Sequence, residues 1–89
     1  MATTQKQKIA DLCAILTQVD DPKDMRALLE DLCTQKEVEN MAERIFAAKL
    51  LMEGNTYIQV MSKADISSAT LSRVSQCVQY GKGYSKLLK

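Results

Sequence analysis

Apolar residues recur along this chain at steps of three and four, the spacing that places side chains on one face of a helix. Ile9, Leu12, Cys13, Leu16 and Val19 form the first such stripe and predict a helix from about Thr4 to Val19. Asp20, Asp21 and Pro22 break it. Asp21 suits an N-cap and Pro22 the first helical position, so a second helix begins there. Its stripe is Met25, Leu28, Leu29, Leu32 and Cys33. Thr34 with Glu37 three residues on has the form of a capping box and opens a third helix. Val38, Met41, Ala42, Ile45, Leu51 and Met52 carry its stripe, and Phe46 and Leu50 widen it. Gly54 ends it as a C′ residue. This helix is long for so small a chain, and its apolar face is wider than two short helices readily cover. A second copy of the chain is the expected cover.

After Gly54 the rhythm shortens. Asn55 or Thr56 caps a short helix to about Lys63, and Ser67 or Ser68 caps another to about Gln79. Tyr80, Gly81, Lys82 and Gly83 end it. Two short helices joined by a tight turn have the form of a helix-turn-helix, which packs its helices nearly crosswise around a small shared core. Val60, Ala64, Ile66, Leu71 and Val74 are apolar at the positions that core requires. Asp65 stands where the turn normally has Gly; Asp tolerates positive φ better than most residues but less well than Gly. Met61 stands where a small residue usually allows close helix contact.

The outward positions of the second helix are small and polar. Ser67, Ser68, Ala69, Ser72, Arg73 and Gln76 are the candidate DNA contacts there, with Thr56 and Lys63 on the helix before it. Serine and glutamine side chains can bond base edges or phosphates, and Arg can reach guanine or phosphate. Lys82 and Lys86 are candidate phosphate neighbours. The competing explanation is two amphipathic helices with a solvated polar face.

Composition sharpens this picture at three points. The 89 residues suit one domain, 46% apolar but only 4% aromatic, so Leu, Ala, Met, Ile and Val must supply the core. The net charge of +1 hides an asymmetry. Residues 1–53 hold 7 Lys+Arg against 10 Asp+Glu, whereas residues 54–89 hold 5 against 1. A polyanion would dock on the second part. Finally, there is no His and no CxxC pair, which excludes His-based catalysis and argues against zinc. Cys13, Cys33 and Cys77 are odd in number and widely spaced, as reduced thiols in a cytoplasmic protein would be. No apolar run is long enough to span a membrane and no signal-peptide core follows the N-terminus. No phosphate-binding glycine loop is present, so an enzyme is not expected.

The order of these pieces resembles the Trp-repressor superfamily, in particular its YerC/YecD-like branch. The matching residues are LCAIL from Leu12 to Leu16, DLCT from Asp31 to Thr34 with Glu37, and AERIFAAKLL from Ala42 to Leu51. Gly54, Thr56 and Tyr57 follow, then SSATLSRV from Ser67 to Val74 and YGKGY from Tyr80 to Tyr84. The resemblance implies an all-α, interlocked homodimer with two reading heads, double-stranded DNA as partner, and a role in transcription in the bacterial cytoplasm, on the nucleoid when bound. Better-known relatives hold tryptophan as corepressor between two Arg side chains, which align with Arg44 and Arg73. That pocket needs Gly just after the second Arg and a hydroxyl further on, where this chain has Val74 and Cys77. A branched side chain there fills the space of an indole, so no tryptophan, and no cofactor or metal, is expected.

The sequence thus predicts a small multi-helix all-α domain of the Trp-repressor type. Residues 1–54 are its dimerisation helices, 55–80 its helix-turn-helix head and 81–89 a basic tail. The expected function is a sequence-specific DNA-binding regulator, with a helical protein–protein interaction module that does not bind DNA as the alternative.

Overall fold

The computed structural model describes residues 3–88, and it is helical throughout its regular structure. The helices are α1 (Gln5–Gln18), α2 (Pro22–Leu32), α3 (Gln35–Met52), α4 (Tyr57–Lys63), α5 (Ser68–Tyr80) and α6 (Gly83–Leu87). None is long and apolar enough to cross a membrane, among the described residues. The chain divides into two compact units, residues 1–34 and residues 35–89.

Each helix start follows from local chemistry. Thr4 caps α1 and Thr56 caps α4, both in capping boxes closed by a Gln three residues on. In the second, the Thr56 N–H donates to Gln59 Oε1 at 2.8 Å and the Gln59 N–H donates to Thr56 Oγ1 at 3.2 Å. Asp21 caps α2 through the Lys23 N–H, and Pro22 takes the first helical position, where its missing N–H costs nothing. Ser67 caps α5.

In the first unit α1 and α2 bury no residue. Ile9, Leu12 and Ile15 of α1 and Leu32 of α2 remain exposed.

The second unit holds the core. Ala47 and Leu50 of α3, Val60 and Ala64 of α4, and Leu71 of α5 are buried together, with Leu51 and Ile66 packed against them. Val74 is buried as well. The apolar set expected of a helix-turn-helix is therefore inside, Ile66 half-buried and the other four buried. On α3 the buried residues are Ala47, Ala48 and Leu50, whereas Met41, Ile45 and Phe46 of the expected stripe are exposed. Ala47 lies in the cluster with Val60, Ala64 and Leu71, where its short side chain lets α4 and α5 approach the α3 backbone closely.

Within the basic C-terminal segment the chain forms the short helix α6, with Tyr84 half-buried. One sequence expectation is corrected. The α4–α5 turn does not use positive φ at Asp65: among the described residues only Gly54 has it, at φ 96°. Ala64 is extended, at φ −112° and ψ 145°, and Ser67 likewise, at φ −74° and ψ 157°. The chain therefore turns without the left-handed backbone that would call for Gly at Asp65.

Gly54 ends α3 in a Schellman arrangement. Its N–H donates to the Leu51 carbonyl at 3.0 Å, and the Asn55 N–H donates to the Leu50 carbonyl at 3.1 Å. A Cβ added at Gly54 would meet nothing within 4 Å, so the glycine is needed for its backbone and not for space. Gly54→Ala is expected to lower stability by about 1–2 kcal/mol, the cost of left-handed backbone for an L-residue. Thermal denaturation checks this; an unchanged melting temperature would contradict it.

Candidate nucleic-acid interface

The two faces of α5 are chemically distinct. At about 100° per residue, Ser68, Ala69, Ser72, Arg73 and Gln76 fall within an arc of roughly 140°. All five are exposed. Leu71 and Val74 lie away from this arc and are buried, as is Ser75 at its edge beside Ser68. The Ser75 hydroxyl accepts from Gln79 Nε2 at 3.4 Å, which satisfies the one polar side chain among these three. Packing the apolar face against α3 therefore leaves the small polar face outward.

Ser67 has a local task. Its hydroxyl accepts from the Thr70 N–H at 3.2 Å and lies 3.0 Å from Thr70 Oγ1. It fixes the start of α5, where free N–H groups favour an anion. The Thr56 hydroxyl is likewise engaged as the cap of α4. Lys63 is exposed in the last turn of α4, and Lys82 and Lys86 are exposed around α6. The candidate DNA contacts thus separate into cap hydroxyls (Thr56, Ser67), exposed α5 side chains, and peripheral lysines.

Arg44 and Arg73 line one open cleft of about 550 Å³, together with Thr70, Val74, Cys77 and Tyr84. Arg44 is exposed on α3, and no ion pair involves it among the described residues. Its acidic neighbours are engaged elsewhere. Glu39 accepts from Gln35 Nε2 at 3.0 Å, and Glu43 accepts from the Asp65 N–H. Val74 forms part of the cleft wall while only 2% exposed, so its side chain serves the core and the wall at once.

Sequence periodicity did not single out Glu43. Its carboxylate lies 3.3 Å through each oxygen from the Asp65 N–H, linking α3 to the α4–α5 turn. Its position four residues before Ala47 extends the head-facing stripe of α3 by one turn, but that stripe is fixed only by packing.

Three comparisons with known proteins agree with this architecture. The family model described as Trp repressor protein matches residues 7–89. The uncharacterised protein YerC of Bacillus subtilis (strain 168) is 36% identical over 66 residues, which is 74% of this chain. The match spans 64% of YerC, less than two thirds of that relative's length. A crystal structure of a protein from Staphylococcus aureus, provisionally named a Trp repressor, matches with a TM-score of 0.85 at 26% identity. That match covers 97% of this chain and 92% of the other.

Proposed function

The chain belongs to the Trp repressor family, and on that premise we propose that it is a sequence-specific DNA-binding regulator, acting as a repressor, whose α5 enters the major groove. The observation that carries the proposal is the exposed face of Ser68, Ala69, Ser72, Arg73 and Gln76, set opposite the buried Leu71 and Val74. Small side chains let the helix approach the groove floor, while Arg73 and Gln76 reach base edges or phosphates. Thr56 and Lys63 lie on α4, which braces the backbone as the first helix of such a unit does, while Ser67 caps the reading helix where it enters the groove.

The working form in this proposal is a homodimer. Ile9, Leu12 and Ile15 on α1, and Met41, Ile45 and Phe46 on α3, are large apolar side chains left in solvent by a single chain. Covering them with a second copy removes that cost. Two heads would then read half-sites about one helical turn apart, roughly 34–36 Å. Selecting bound sequences from a random duplex pool tests binding, preference and palindromy together. A palindromic consensus supports the proposal, and a pool that stays random contradicts it.

Regulation proceeds without tryptophan in this account. Val74 and Cys77 stand on the cleft wall where the family pattern uses Gly and a hydroxyl, so the room and the polar partner an indole-bearing amino acid needs are both reduced. Calorimetric titration with free tryptophan is expected to give no saturable heat; tight, saturable uptake would contradict this.

One observation favours a second role as a protein-interaction module: Ile58 is 83% exposed on α4, beside the exposed Tyr57 and Met61. Failure to shift any duplex at low salt, where even non-specific binding is strong, would favour that role.

A further inference from the structure

We propose that Glu43 is a positioning residue for the reading head, a carboxylate on α3 that holds the α4–α5 turn through the Asp65 N–H. The inference rests on the reading of α5 as the DNA-facing helix, and it names what fixes that helix in place.

The stripe of α3 that faces the head continues Glu43, Ala47, Leu50 and Leu51, at steps of four, three and one. Ala47 is fully buried and Leu50 nearly so. An apolar residue would extend this stripe most simply. The half-buried position holds Glu43 instead, with both carboxylate oxygens 3.3 Å from the Asp65 N–H. The two residues are 22 positions apart in sequence, so the contact joins separate elements rather than capping one. Asp65 and Glu43 also line one hollow with Lys36 and Phe46, which places the turn against α3 along that flank. No residue of the turn has the positive φ that would lock a glycine turn locally. With extended backbone on either side, its direction must be set from outside, and Glu43 supplies an acceptor from the element on which the head packs.

Electrostatics makes the proposal testable by sign. A carboxylate beside a DNA-binding head repels phosphate, so neutralising it should tighten duplex binding if charge were its whole effect. If Glu43 positions the turn, Glu43→Ala weakens binding although a negative charge is lost, by about two- to tenfold for one hydrogen bond. Glu43→Gln keeps an acceptor oxygen and binds as well as wild type or better. Because Glu43 touches no phosphate in this scheme, the slope of affinity against salt stays that of wild type in both variants.

The experiment measures duplex affinity for wild type, Glu43→Ala and Glu43→Gln, with hydrogen exchange of the Asp65 amide in the free proteins. Weakened binding and faster Asp65 exchange in Glu43→Ala, both restored in Glu43→Gln, are expected. Equal or tighter binding by Glu43→Ala, or Asp65 exchange equal to wild type in that variant, would overturn the assignment. Wild-type protein that binds no duplex would sink the regulator reading instead, and the exchange comparison would still decide whether Glu43 holds the turn.

Discussion

Truncating Leu71 to Ala is expected to lower folding stability by about 2–5 kcal/mol, the range for removing a fully buried Leu. Leu71 is among the largest side chains completely shielded from solvent, and it packs with Ala47, Leu50, Val60 and Ala64. The alanines around it are too short to fill the space it would leave. A domain of ordinary stability holds only about 5–15 kcal/mol, so this one change removes a large part. Urea denaturation followed by circular dichroism reads the effect as a fall in midpoint. A loss below about 1 kcal/mol, typical of a partly exposed site, would mean that Leu71 is not at the centre of the core.

Arg73 should behave in the opposite way. It is exposed and makes no ion pair among the described residues, so Arg73→Ala should change stability by no more than about 0.5 kcal/mol. Its loss should appear in binding. If Arg73 reads a base edge, affinity for the preferred sequence falls by about 1–3 kcal/mol and discrimination at that position is lost. If it meets phosphate alone, all sequences weaken alike and the salt slope drops by about 1. Arg73→Lys separates the two cases, since Lys keeps the charge but not the planar fork. Arg73→Ala that binds both preferred and random duplex like wild type would remove Arg73 from the interface.

Much of this fold could be read in the sequence because its signals are local. Asp21 with Pro22 fixes a helix start through its neighbours, and Asn55 or Thr56 and Ser67 or Ser68 narrow two more to a pair of residues, of which Thr56 and Ser67 are the caps. Gly54 marks the end of α3 for the same reason, through its own backbone. The five apolar residues from Val60 to Val74 were legible because a crossed helix pair leaves few places for a core. What escaped depends on distant partners. Helix α6 begins at Gly83, the second of two glycines in three residues that read locally as a stop, and its contacts with α5 are tertiary. Local pattern likewise could not tell which apolar residues of α3 face the head. Ala47 and Ala48 are buried because helices cross there, whereas Met41 and Ile45 have equal claim by periodicity.

The candidate site divides along the same line. That Ser68, Ser72, Arg73 and Gln76 share an outward face follows from helical spacing once Leu71 and Val74 are assigned inward. That Arg44 lines a cleft with Arg73 joins residues on two helices, and only the family resemblance suggested it. The Glu43 contact with the turn had no counterpart in any motif, because a carboxylate accepting from a backbone N–H leaves no pattern of residue types.

A regulatory role requires α5 to present its polar face to nucleic acid. Duplex affinity titrated across a range of salt concentrations tests this most directly. Measurable binding at low salt and a linear fall of log affinity with log salt, at about 0.9 per phosphate neutralised, are expected. Affinity that is absent at low salt, or that stays level as salt rises, would contradict it.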